Sequence, residues 1–113
     1  MIYKFPVDGN FEDVLKAAFE SRDFLMSSCS EFDLSLPEYA CLRAMFDAAI
    51  PENPEDRKYL ITFERNFLNG NDLVLIRLIN KDTKRYNFMT MPKKLAGDIQ
   101  YLDWFLKRLQ DLA

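Results

Sequence analysis

The sequence predicts a single α+β domain over residues 1–113, with a three-stranded antiparallel meander packed against three helices. Apolar residues recur at helical spacing in three segments, and residues 59–91 alternate in the manner of strands joined by turns. At 113 residues with 49% hydrophobic content, the chain is long enough for one core and too short to need a second domain. With a short N-terminal strand added, the predicted order is β-α-α-β-β-β-α.

The first segment combines a short strand with the clearest helical pattern. Residues 2–7 alternate weakly and end at a turn over residues 8–10, which predicts the added strand. Apolar residues then recur from Phe11 to Met26 at the 3.6-residue period of one amphipathic helix. Arg22 lies within that apolar stripe, so we expect it either to pair with a carboxylate or to bind an anionic partner group.

The second predicted helix spans residues 36–49. Ser35 and Glu38 form a capping-box pattern in front of it. Arg43 and Asp47 are spaced to pair on its narrow polar edge. The rest of its surface is apolar, so we expect other elements to cover it on two sides.

The strands of the meander follow the second helix. Residues 59–64, 73–80 and 85–91 carry the alternation, and turns separate them. The first turn contains Asn69-Gly70, the strongest short signal for a hairpin. Residues 81–84 form the second turn.

Alternation divides the sheet into two faces, and the middle strand is apolar on both. The residues predicted to face the helices are Tyr59, Ile61, Phe63, Val74, Ile76, Leu78, Tyr86 and Phe88. The opposite face carries Leu60, Leu73, Leu75, Arg77, Ile79 and Met89. Two alternatives follow: helices cover both faces, or Leu60, Leu73, Leu75, Arg77 and Met89 form a dimer or partner surface.

The last predicted helix presents an aromatic residue on its polar side. Its apolar arc consists of Leu95, Ile99, Leu102, Phe105, Leu106, Leu109 and Leu112. Trp104 points almost opposite this arc, with Tyr101 beside it and Lys107 and Arg108 nearby. Because tryptophan, tyrosine and arginine are enriched at binding hot spots, these four residues are the candidate partner-binding face. The alternative is that another element of the chain covers Trp104.

Composition argues against catalytic and metal chemistry. The chain has no histidine, only two cysteines, and glycines at positions 9, 70 and 97, which stand singly. Histidine-based catalysis, a structural zinc site and a phosphate-binding glycine loop are therefore not expected, and neither is a cofactor. A pair of carboxylates brought together from distant segments is the one enzymatic route left open, and we expect a non-enzyme.

Charge and hydropathy bound the partners and the compartment. A net charge of −3 and a pI near 4.9 argue against a nucleic-acid partner. The local exception is the basic stretch Lys81, Lys84, Arg85, Lys93 and Lys94. No apolar run is long enough for a membrane span, and residues 1–6 lack the pattern of a secretory signal. The prediction is a cytoplasmic protein in which Cys29 and Cys41 remain reduced.

These observations together predict a non-enzymatic protein that binds another protein. In size, acidity and missing chemistry the chain is similar to immunity proteins, phage-encoded inhibitors of host defence and small secretion chaperones. The first hypothesis is an inhibitor, of the immunity or anti-defence kind, that occludes a functional site of its partner. The alternative is a homodimeric adaptor or chaperone subunit. A weak nucleic-acid binder and a carboxylate-based enzyme rank lower.

Overall fold

The structure, a computed structural model, describes residues 11–27, 29 and 31–112 and has the predicted α+β class. The helices in this part of the chain are α1 (Phe11–Glu20), α2 (Arg22–Ser27), α3 (Ala40–Ala49) and α4 (Leu102–Leu112). The strands are β1 (Tyr59–Leu68), β2 (Asn71–Asn80) and β3 (Tyr86–Pro92). The predicted strand at residues 2–7 lies outside the described residues.

The first predicted helix is divided into α1 and α2 at Ser21. The Ser21 hydroxyl oxygen accepts a hydrogen bond from the backbone N–H of Phe24 at 3.1 Å, as a residue at a helix start commonly does. The buried residues Leu15, Phe19 and Leu25 keep their helical spacing across the break. Spacing therefore predicted one helix, whereas the serine side chain begins a second one.

Of the two alternatives for Arg22, pairing with a carboxylate is the one observed. Its guanidinium forms an ion pair with Asp47 of α3 and donates from Nε to the Ile50 carbonyl at 3.1 Å. The same guanidinium lies 5.1 Å from the centre of the Phe46 ring. Arg43 also reaches Asp47, at 3.2 Å, so the predicted pair on α3 is confirmed.

Arg57 ties α1 to the connection between α3 and β1. It is only 3% exposed, and its guanidinium donates four hydrogen bonds to backbone carbonyls. The acceptors are Phe19 at 2.9 Å, Glu20 at 3.0 Å, Pro51 at 2.7 Å and Glu52 at 2.9 Å. The first two end α1, where unpaired carbonyls carry partial negative charge and favour a cation.

The capping box predicted at Ser35 does not form. The Ser35 hydroxyl and backbone N–H both donate to the Asp33 carboxylate, and these bonds lower the pKa of Asp33. A 3-10 turn, Pro37–Tyr39, follows, and α3 begins only at Ala40.

The start of α3 is capped by a carbonyl from the other end of the chain. The backbone N–H groups of Cys41 and Leu42 donate to the Ala96 carbonyl at 2.9 and 3.1 Å. Gly97 brings its backbone against that of Glu38, close enough that a Cβ on Gly97 would lie 2.6 Å from the Glu38 oxygen. The connection between β3 and α4 is thus fixed to the beginning of α3.

The sheet is the predicted antiparallel meander in the order β1-β2-β3. Asn69 and Gly70 both have positive φ, 52° and 77°, as a two-residue type I′ hairpin turn requires. In the second turn, the Asn80 side chain accepts hydrogen bonds from Asp82 and Thr83, and Lys84 has a φ of 59°.

The predicted facing of β3 is wrong. Register places Met89 beside Ile76, with Met91 two residues further on, so these methionines face the helices and are buried. Tyr86 and Phe88 lie on the opposite face and are 53% and 58% exposed. Each alternating set of β3 contains two large apolar residues, so the second turn, and not the alternation, decides which set faces inward.

Among the described residues, the second face of the sheet is most deeply buried at β1 and half-buried along β2. Leu60 and Ile61 point to opposite faces, yet they are 2% and 0% exposed. Helices α1, α2 and α3 all contact β1. Among the described residues the back of β3 stays exposed, so cover on both faces is observed for β1, and a dimer or partner surface on the rest of this face stays a prediction.

The last predicted helix is shorter than its spacing implied. Two 3-10 turns, Lys93–Leu95 and Ile99–Tyr101, precede α4, which begins at Leu102. Phe105 and Leu109 are buried, and the C-terminal end of α4 reaches β3, where the Asn87 amide donates to the Leu112 carbonyl.

Both cysteines are buried thiols and form no disulfide. Burial raises the pKa of the Cys41 thiol, and the nearby carboxylate of Asp98 adds to this effect. None of the helices in the described ranges combines the length and apolar character needed to cross a membrane.

Candidate functional site

Three apolar side chains stand exposed where the chain enters α4. Ile99, Tyr101 and Trp104 are 50%, 41% and 59% exposed. Together with the charged side chains of Lys107 and Arg108 we call them the α4 aromatic surface. Of the two alternatives for Trp104, exposure on the surface of the described structure is the one observed.

Asp98 fixes the turn that carries this surface. Its carboxylate accepts hydrogen bonds from the backbone N–H of Gln100 at 3.3 Å and from the Gln100 side chain at 3.0 Å. The predicted inward position of Ile99 is wrong because residues 99–101 form a 3-10 turn. The 3.6-residue period applies only from Leu102 onward.

The Trp104 indole rests on the hydrophobic core. Its ring centre lies 5.1 Å from that of Phe105, with the ring planes 81° apart, an edge-to-face contact. Phe105 is only 2% exposed, so its ring is held by packing. The indole therefore contacts one buried ring of the core, while more than half of its surface is available to a partner.

Charged side chains border the aromatic residues. Lys107 and Arg108 are exposed, and among the described residues no carboxylate lies within ion-pair distance of either one. Asp103 and Asp111 add negative charge to the same helix. An aromatic centre with a charged border has the composition of a protein-binding hot spot and its rim.

A second apolar area lies on the back of β2 and β3. We define the sheet back as Leu73, Leu75, Arg77, Tyr86 and Phe88, which share one face. The leucines are half-buried, and the Tyr86 and Phe88 rings lie side by side with centres 6.5 Å apart. Leu60 and Met89 do not contribute, because Leu60 is buried and Met89 faces the helices.

An ion pair lies within the sheet back. Arg77 approaches Glu64 to 2.9 Å, and Glu64 is 9% exposed. Within the described part of the chain, Glu64 Oε2 and Arg77 Nε are buried and make no aligned hydrogen bond. Charge attraction, with little help from hydrogen-bond geometry, therefore has to offset the desolvation of both groups.

The basic residues considered for nucleic-acid binding fall into two groups. Lys81, Lys84 and Arg85 lie before β3, whereas Lys93 and Lys94 follow it. Seven strand residues separate the groups by roughly 20 Å at about 3.3 Å per residue. Lys93 also lies over the Tyr39 ring at 5.7 Å, so these residues do not form one continuous basic patch.

A shallow cleft of about 440 Å³ lies between α1 and the loops around residues 54 and 81. Asp13, Glu20 and Glu55 line it together with Lys16 and Lys81. It is open to solvent and carries both signs of charge, unlike a water-excluding catalytic site. Among the described residues no group of three or more His, Cys, Asp or Glu side chains is placed to hold a metal ion.

The sequence predicts the exposed positions of Trp104 and Tyr101 but not the positions of Ile99 and Arg57. Ile99 was assigned to the core, and Arg57 gave no signal, because a single arginine before a strand breaks no pattern. The chain has no significant match among protein-family models, curated proteins or solved structures.

Proposed function

We propose that the protein is a non-enzymatic binding module that occludes a functional site of a partner protein, in the manner of a small inhibitor, immunity or anti-defence protein. The observation that carries the proposal is the 59% exposure of Trp104 on a helix whose opposite side is buried at Phe105 and Leu109. Tryptophan is the residue type with the largest apolar area to bury, and it is strongly enriched at hot spots.

The surroundings of Trp104 support a binding role. Tyr101 and Ile99 extend the apolar area, while Lys107 and Arg108 supply charges that are not used within the described fold. A partner that buries the indole and meets these two cations with carboxylates would gain both affinity and orientation. Because the helix is already folded and packed, little ordering entropy opposes binding.

Replacing Trp104 with alanine tests this proposal. The exposed indole contributes little to the core, so we expect Trp104→Ala to fold normally. It should weaken binding to a partner recovered from the native cell by at least about tenfold, measured by calorimetry with the purified partner.

Phe67→Ala is the matched control, because Phe67 is a 63% exposed aromatic residue on the β1–β2 hairpin. The Phe67→Ala variant should bind the partner with the same affinity as the unmodified protein. Unchanged binding by Trp104→Ala, or equal losses in the two variants, would show that the α4 aromatic surface is not the binding site.

The second candidate is a homodimeric adaptor, favoured by the exposed Tyr86 and Phe88 rings on the sheet back. For this candidate we expect light scattering to report twice the monomer mass at concentrations of about tens of micromolar, and Phe88→Ser to restore the monomer. A monomer at that concentration would contradict it.

A further inference from the structure

The outer edge of β3 presents unpaired backbone groups. The two-residue turn makes Leu68 and Asn71 the hydrogen-bonded pair that closes the first hairpin. This pair fixes which residues of β2 bond to β1 and which bond to β3. Asn80 and Arg85 are bonded across the second hairpin, where the Asn80 N–H donates to the Arg85 carbonyl at 2.9 Å. Residues 87, 89 and 91 of β3 therefore bond to β2, and residues 86, 88 and 90 point outward.

No group in the described part of the chain bonds these outward N–H and C=O groups of Tyr86, Phe88 and Thr90. The opposite edge of the sheet differs. There the outward N–H of Arg65 in β1 donates to the Glu31 carboxylate at 2.9 Å. Within the described residues, the β3 edge therefore has no bonded group at residues 86, 88 and 90, whereas the β1 edge is occupied at the Arg65 amide.

The β3 edge also lacks the features that usually prevent strand addition. Residues 86–91 contain no charged side chain, and their pairing with β2 runs without a bulge. Pro92 blocks only the last position. Tyr86 and Phe88, whose backbone groups point out from this edge, also expose their aromatic rings on the sheet back beside it.

Cationic residues flank the open edge at both ends. Arg85 precedes β3, and Lys93 and Lys94 follow it. The acidic residues nearest in sequence are Asp82 in the turn and Asp98, whose carboxylate accepts hydrogen bonds from Gln100. Asp72 on β2 is held by Arg65 through two hydrogen bonds. A second copy aligned antiparallel would place Arg85 near the lysines of its partner, so like charges would oppose that pairing.

We infer that the β3 edge binds an extended peptide segment as a fourth strand, one with uncharged alternating residues at its centre and acidic residues at both ends. Backbone hydrogen bonds to residues 86, 88 and 90 supply affinity, and apolar side chains of the segment lie against Phe88. Carboxylates at the ends of the segment meet Arg85 and Lys94. This inference does not rest on the α4 aromatic surface.

A designed peptide tests the inference, with acetyl-Asp-Glu-Val-Thr-Val-Thr-Val-Glu-Asp-amide as the probe. In the protein alone, the amides of Tyr86, Phe88 and Thr90 should exchange rapidly in hydrogen-exchange NMR, and the peptide should slow them by at least about tenfold. Slow exchange in the protein alone would overturn the inference, because residues 2–7 or a second copy would then already occupy the edge.

Two substitutions separate strand addition from other binding. Thr90→Pro removes an outward N–H without breaking the ladder, and it should reduce peptide affinity at least about tenfold, whereas Thr90→Val should not. Arg85→Glu should weaken binding at low salt and have less effect at high salt. Equal affinity of Thr90→Pro and Thr90→Val would overturn the inference, as would tighter binding of a single-stranded oligonucleotide than of the peptide.

Discussion

Arg57→Ala should lower the free energy of unfolding by about 3–5 kcal/mol, because it leaves four carbonyl oxygens without their donor. Hydrogen bonds from a charged group are stronger than neutral ones, and burial makes their loss more costly. Burial also lowers the pKa of Arg57, yet a guanidinium stays protonated at physiological pH. Urea denaturation followed by circular dichroism measures the change.

Arg57→Lys distinguishes charge from geometry. Lysine keeps the positive charge, but one ammonium group cannot span acceptors on two separate segments as the planar guanidinium does, so an intermediate loss is expected. Arg43→Ala is the matched control, since Arg43 is a partly exposed arginine whose partner Asp47 retains Arg22. It should change stability by less than about 1 kcal/mol. Equal urea midpoints for Arg57→Ala and Arg43→Ala would show that Arg57 does not tie the two segments.

Gly97→Ala should destabilise the fold by about 2–3 kcal/mol, because the added methyl group meets backbone atoms that cannot rotate away. The Cβ would lie 2.6 Å from the Glu38 oxygen and 2.9 Å from the Glu38 carbonyl carbon. Relief requires the connection before α4 to move away from α3. That movement would stretch the hydrogen bonds from Cys41 and Leu42 to the Ala96 carbonyl.

Gly70→Ala provides a glycine control with a different cause of strain. Gly70 has a φ of 77°, and a Cβ there would meet no atom within 4 Å. Its substitution should therefore cost about 1–2 kcal/mol from backbone conformation alone. Hydrogen exchange at the start of α3 distinguishes the close contact of Gly97 from the backbone strain at Gly70. The amides of Cys41 and Leu42 should exchange faster in Gly97→Ala only. If Gly97→Ala unfolds at the same urea concentration as the unmodified protein, the close packing is not required.

The strands were predictable because their signals are local. Alternation and the Asn69-Gly70 turn located the meander without reference to any other part of the chain. The facing of β3 was not predictable, because it depends on a four-residue turn in which Lys84 adopts a positive φ that lysine rarely adopts. The start of α3 was missed for a related reason: its cap is the Ala96 carbonyl, and every residue carries a carbonyl.

The candidate site was partly predictable. Helical spacing placed Trp104 opposite the apolar arc of the last helix, and this requires only that the helix exist. Whether another element covered the indole depended on tertiary packing, which the spacing does not contain. Arg57 is the opposite case, because its acceptors are backbone carbonyls from two segments and no side-chain pattern marks them.

The two edges of the sheet have different consequences for growth. A strand that joins β3 leaves a further open edge only if the incoming molecule provides one. At the opposite edge of this sheet, in β1, the Arg65 amide already donates to Glu31. Successive copies therefore cannot stack strand by strand through both edges without first breaking that bond. Each added copy would lose the Glu31 contact at its β1 edge, so this contact opposes repeated edge-to-edge growth of the sheet.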